Sequence, residues 1–124
     1  MKAITIREPW ASLIINGYKK YEFRSWKTNY RGKILIHAGK GIDKDMPHIA
    51  NKYNIKINPG NIIGEVEITD CIKVDDEFNK FLIKDNSLVY HGSYKDKYAW
   101  KIEKVKKYDK TIPVNGKLGL WNYE

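Results

Sequence analysis

The sequence predicts a small α+β domain, one strongly bent sheet or barrel with two or three short helices around it. Three observations lead there. Short runs of alternating apolar and polar residues recur along the chain, a few stretches carry apolar residues at helical spacing, and Gly, Pro and Asn punctuate them at short intervals. The 124 residues suit a single domain, 1–124, with no repeat, linker or low-complexity segment.

Residues Lys2 to Ile6 are β-branched and alternate, and predict a first strand. Glu8 to Gly17 predicts an amphipathic helix. Pro9 suits its first position, where the missing N–H has no partner to lose. Trp10, Leu13, Ile14 and Gly17 share one face. Gly17 stops the helix because glycine accepts left-handed backbone. From Lys20 to Arg24 the period falls to two, so Tyr21 and Phe23 point one way and Glu22 and Arg24 the other. A packed helix therefore delivers Lys19, Glu22 and Arg24 onto a short rigid element, which is more ordered polarity than a solvated loop needs.

Ser25 to Arg31 reads as a polar loop holding Trp26 and Tyr30. Lys33 to His37 predicts a strand with Ile34 and Ile36 on one face and Leu35 and His37 on the other, broken by Gly39 and Gly41. Asp43 to Tyr53 predicts a helix capped by Asp43 or Asp45, with Met46, Ile49, Ala50 and Tyr53 as its apolar stripe. Pro59-Gly60 marks a turn. Ile62 to Val74 predicts the longest strand, with Val66, Ile68, Ile72 and Val74 in one phase, Glu65, Glu67 and Thr69 in the other, and a bulge at Gly64. Asp75 to Leu82 reads as a short acid-started helix with Phe78, Phe81 and Leu82 inward. Ile83 to Lys95, with His91-Gly92, predicts a mobile loop that is a candidate lid. Tyr98, Trp100 and Ile102 alternate in a further strand, and a phase slip before Val105 suggests a bulge. The tail from Ile112 to Tyr123 is expected to fold back, because Leu118, Leu120 and Trp121 are too apolar to stay in water.

Lys and Arg number 23 against 15 Asp and Glu, a net charge of +8, and 13% of residues are aromatic. That balance, with a pI near 9.4, points to RNA or another nucleic acid, a nucleoside or a nucleotide as partner. It also permits a protein partner and leaves the oligomeric state open. The single cysteine, Cys71, excludes an internal disulfide and, in its apolar run, behaves as a small buried hydrophobe. The opening residues do not resemble a signal peptide, and no apolar run approaches the ~18 residues of a membrane span. A cytoplasmic protein without membrane contact is therefore expected. His37, His48 and His91 are not paired with Cys or His at metal spacing, so neither a metal nor a cofactor is expected. His37, at a strand end, could do acid–base work in a nuclease, although a lone histidine is more often structural.

The run EPWASLIINGYKKYEFRSW, followed by RGKILIHAGK, resembles the ASCH domain, a relative of the PUA RNA-binding fold. The family pattern Gly-x-Lys-x-x-Glu-x-Arg stands here as Gly17, Lys19, Glu22 and Arg24. Pro9, Trp10 and Ala11 precede it and Arg31 and Gly32 follow. Gly64 to Asp70 and Gly116 to Trp121 are similar to further family segments, so the resemblance runs from Ile4 to Tyr123. It implies a small PUA-like mixed β-barrel with peripheral helices and a cleft lined by the motif.

The resemblance implies two functions. The first is binding of RNA or a nucleoside, with Lys19, Arg24 and Arg31 on phosphates and Trp26 and Tyr30 stacking bases, worth about 1–3 kcal/mol per base. The competing readings are that Trp26 packs on the barrel, Arg31 pairs with an acid, and Lys19, Glu22 and Arg24 form a structural ion cluster. Lys27 and Lys33 are expected in solvent. The second is amidohydrolysis, since some small bacterial members remove the acetyl group of N4-acetylcytidine with a Lys, a Thr three residues later and a Glu on a later strand. Lys19 matches the first, Glu22 replaces the Thr, and Glu67, ahead of Glu65, matches the Glu. Two carboxylates near Lys19 raise its pKa, which makes it a fixed cation and leaves Glu22 or Glu67 as the proton carrier.

Overall fold

A computed structural model describes residues 1–43, 46–90 and 92–124. Among them the order is β1 (Lys2–Glu8), α1 (Trp10–Ile15), β2 (Tyr21–Arg24), β3 (Gly32–Ile42), α2 (Met46–Tyr53), β4 (Asn61–Lys73), α3 (Asp76–Asp85), β5 (Tyr98–Pro113) and β6 (Leu120–Asn122). The strands form one mixed sheet in the order β2-β5-β4-β3-β1-β6. Only β1 and β3 run parallel; the other pairs are antiparallel. The architecture is α+β, as the sequence predicts.

β3 lies near the middle because both its faces are apolar. Ile34, Ile36 and Ala38 enter the main core with Ile4, Ile6, Val66, Ile68 and Trp100, while Leu35 enters a smaller one with Ala3, Ile62 and Trp121. Helix α1 touches β1, β3, β4 and β5. Its Ala11, Ile14 and Ile15 join the main core, and its Leu13 joins a third cluster with Ile49, Leu82, Val89 and Tyr90. The buried Glu8 carboxylate holds the start of α1 by accepting from the Ser12 N–H at 2.8 Å and the Ser12 hydroxyl at 2.6 Å.

The sheet is not closed by hydrogen bonds, but it curls. β2 is one edge and β1 is next to the other, four strand spacings apart, or about 19 Å if the sheet were flat. Yet the Arg24 guanidinium on β2 donates to the Thr5 carbonyl on β1 at 2.9 Å. The barrel is thus open along a β1–β2 seam, and one arginine clasps it.

Several expectations change. Gly39 and Gly41 do not break β3, which runs on to Ile42; a Cβ at Gly39 would meet the Thr5 methyl at 3.1 Å, so glycine there lets β1 come close. The Asp43 carboxylate accepts from the Trp10 indole N–H at 3.3 Å. Asp45 and His91 lie outside the described residues, as does the side chain of Met46. The expected loop from Ile83 begins as the last turn of α3, and Val89 and Tyr90 beyond it are fully buried. Leu118 is 98% exposed, whereas Trp121 is 6% exposed and Leu120 packs on the core. An extra residue at Thr69 shifts the phase of β4, so Cys71 packs on the main core. No described helix is long and apolar enough to cross a membrane.

Candidate functional site

The seam holds a cleft of about 650 Å³. β1 lines it with Thr5, Ile6 and Arg7, α1 with Trp10, and β2 and its flanks with Lys19, Glu22, Phe23, Arg24, Ser25 and Trp26. Tyr94 and Lys97 come from the segment before β5. Alternation in β2 sends Tyr21 and Phe23 toward the cluster with Leu82 and Tyr90, and Glu22 and Arg24 toward the seam.

Glu22 is the centre of a buried charge cluster. Its Oε1 lies 3.4 Å from Lys19 Nζ. Its Oε2 accepts from Arg24 Nε at 3.1 Å and lies 3.0 Å from Nη2. Lys19 is 4% exposed; its ammonium donates to the Tyr21 carbonyl and lies 4.8 Å from the centroid of the Phe23 ring. Burial holds the Lys19 pKa below its ordinary value; Glu22 opposes the shift and Arg24 adds to it. This corrects the expectation of a fixed cation, because desolvation outweighs one carboxylate already shared with Arg24. Tyr94 stacks on Phe23 with centroids 3.9 Å apart, and burial, then the Glu22 charge, push its hydroxyl up to about 12.

Four of the predicted site residues meet here: Lys19, Glu22, Arg24 and Trp26. Trp26 is 39% exposed and sits edge-on over Trp100, with centroids 4.8 Å apart. It both packs and faces the cleft. Tyr30 and Arg31 stand outside. The Tyr30 hydroxyl donates to the Lys33 carbonyl. Arg31 donates to the Thr28 and Tyr30 carbonyls and lies 3.8 Å from Asp70. Glu67 is also outside, with Oε2 3.0 Å from Lys104 Nζ, and Glu65 accepts from the Tyr108 hydroxyl. Both glutamates alternate with the buried Val66 and Ile68, which sends them to the opposite face of the sheet. His37 is 2% exposed, with both ring nitrogens bonded to Thr5 and Val114, so it is structural. Among the described residues no group of three His, Cys, Asp or Glu is placed to hold a metal.

Arg7, Trp10, Tyr94 and Lys97 were not expected in the site. Trp10 carried the helical apolar signal of α1 and gave no other. Tyr94 and Lys97 are far from the motif in sequence, and only the pairing of β5 with β2 brings them to it.

A family model described as the ASCH domain matches residues 4–112. Human activating signal cointegrator 1 is 28% identical over 81 residues, and the mouse protein of the same name 46% over 88 residues. Each match covers 56% of this chain and 14% of the relative, so the chain corresponds to a small part of those proteins. The crystal structure of an ASCH protein from Zymomonas mobilis superposes with a TM-score of 0.58 at 16% identity, over 90% of this chain and 72% of that one. A point mutant of the same protein gives 0.55 at 17%, over 92% and 72%. At these identities the structural likeness concerns the fold.

Proposed function

This chain belongs to the ASCH domain family, and from that premise we propose that the seam cleft binds RNA, or a nucleoside or nucleotide presented to it. The observation that carries the reading is the composition of the cleft. Arg7, Arg24 and Lys97 supply positive charge around a hollow in which the half-exposed Trp26 offers a flat apolar ring. Cations hold phosphates and indoles stack bases, so one hollow serves both ends of a nucleotide. Glu22 orients Arg24 and shares its charge with Lys19, leaving the exposed Arg7 and Lys97 to meet an anion from solvent.

The test is a titration of short single-stranded RNA at several salt concentrations. Log K is expected to fall linearly with log salt, because phosphate contacts release counterions. Undetectable or salt-independent affinity would reject the reading.

One observation favours a second reading, deacylation of an acylated nucleoside such as N4-acetylcytidine. A depressed lysine pKa enlarges the neutral fraction able to act as a base or nucleophile. Glu67 takes no part in it, and Glu22 would carry the proton. Incubation with N4-acetylcytidine should then release cytidine, and Lys19→Met should abolish the release; no cytidine above background rejects it for that substrate.

A further inference from the structure

Two buried polar groups have no hydrogen-bond partner among the described residues. Trp100 is 1% exposed and its indole N–H is unpaired; the Thr69 hydroxyl is likewise buried and unpaired. Register relates Trp100 to the cleft. Trp100 stands directly opposite Glu22 in the β2–β5 pairing, and partners across a pair project to the same face. Cys71 is the partner of Trp100 on β4, and Thr69 is the extra residue of the bulge two positions before it. Trp26 covers Trp100 edge-on, its ring planes inclined at 82°. Trp26 comes from a segment with no strand partner and is part of the cleft lining.

Unpaired buried donors are rare in folded proteins, and each calls for an explanation. An indole N–H can only donate, so it requires an acceptor, whereas a hydroxyl takes either role. A group entering between two indoles must be flat. Together these requirements describe a planar heterocycle bearing a carbonyl oxygen.

We propose that Trp26 and Trp100 are the two walls of a slot for a keto nucleobase. The base enters as the Trp26 ring swings away from Trp100, stacks on Trp26, and accepts a hydrogen bond from the Trp100 N–H. The Thr69 hydroxyl meets the neighbouring polar edge of the base. Uracil fits this description; adenine has no carbonyl. The inference rests on the seam cleft being a ligand site, and it adds the chemical class of base and the residues that select it.

The test is indole N–H NMR on the ¹⁵N-labelled full chain, its four tryptophan signals assigned by single Trp→Phe variants. Uridine, oligo-U and oligo-A are added in turn. The Trp100 signal is expected to shift downfield with uridine and oligo-U and to stay in place with oligo-A. A shift with oligo-U alone assigns the slot to a base held within a strand; a shift with both assigns it to the base itself. If Trp26 responds while Trp100 does not, the slot is rejected and the cleft reading survives. If neither signal moves with any probe, both fail. Thr69→Val keeps the shape and removes the unpaired hydroxyl, so it should fold at least as stably as the parent and bind oligo-U about three- to tenfold more weakly. Unchanged affinity in that variant rejects the role of Thr69.

Discussion

Thr5 stands between two buried polar groups of different kinds. On one side its hydroxyl accepts from the Trp121 indole at 3.1 Å and donates to His37 Nδ1 at 3.2 Å. His37 Nε2 donates in turn to the Val114 carbonyl at 2.7 Å; because a carbonyl only accepts, the proton is on Nε2. Every donor named in this run of hydrogen bonds has an acceptor, no Asp, Glu, Lys or Arg side chain takes part, and the bonds tie β6 and the segment after β5 to β1. Gly116 closes over it so tightly that a Cβ there would lie 2.5 Å from the Thr5 hydroxyl oxygen. On the other side the Thr5 carbonyl accepts from Arg24, which belongs to a cluster of three charges beside an open hollow. A closed neutral network secures a terminus at small electrostatic cost. Buried charges gain little net stability over apolar packing, so a second cluster that is charged and open calls for a role beyond holding the seam.

The largest effect should come from removing the centre of the charged side. Glu22→Ala leaves Lys19 and Arg24 without their shared carboxylate, and a loss of about 3 kcal/mol is expected by urea denaturation. A loss below about 0.5 kcal/mol would mean that the cluster does not hold the seam. On the neutral side, His37→Ala removes a buried ring and two hydrogen bonds, and should cost about 2 kcal/mol. RNA affinity of the folded variant should stay within about twofold of the parent, because His37 is not among the residues lining the seam cleft. A large affinity loss there would erase the distinction between the two sides. Arg7→Ala and Lys97→Ala should leave stability nearly unchanged and each lower the slope of log K against log salt by about one. A slope unmoved by both would place the phosphate contacts elsewhere.

How much of this could be read from the sequence follows from the range of each signal. The β2 alternation is local, and it assigned Glu22 and Arg24 to one face and Tyr21 and Phe23 to the other. Gly17 and Asp75 announced helix ends for local reasons, and the Asp75 carboxylate does accept from the Phe78 N–H at 2.8 Å. Glu67 was placed in the site by resemblance, although its own alternation with Val66 and Ile68 already sent it to the opposite face. The seam itself had no local signal. Arg24 finds a backbone carbonyl on β1, and no side-chain pattern marks which carbonyl a curled sheet brings within reach. Nor could spacing reveal that burial would outweigh Glu22 at Lys19, since that balance depends on how much protein covers the ammonium. The second half of the expected loop after α3 was unreadable for a similar reason. Val89 and Tyr90 are apolar but not periodic, and only the third core cluster shows what they pack against.

The smallest expected effect is on the pH dependence of stability, and it tests the Lys19 balance directly. Below the lowered pKa, Lys19 is protonated in both states and the folded protein bears the full cost of the buried charge. Between that value and 10.5 the unfolded chain holds a proton that the folded one has released. The unfolded state then binds more protons, so stability rises with pH across this window. Tyr90 and Tyr94 act in the opposite sense. Burial raises both from 10.0 to about 12, so the folded state keeps protons that the unfolded chain loses, and stability falls as pH climbs through that interval. Urea midpoints measured from neutral pH to about 12 should therefore pass through a maximum. Lys19→Met should flatten the rising limb and leave the falling one. A wild-type curve that only falls would mean that Glu22 outweighs burial and that Lys19 is a permanent cation, which would leave anion binding in place and remove the basis for a lysine acting in catalysis.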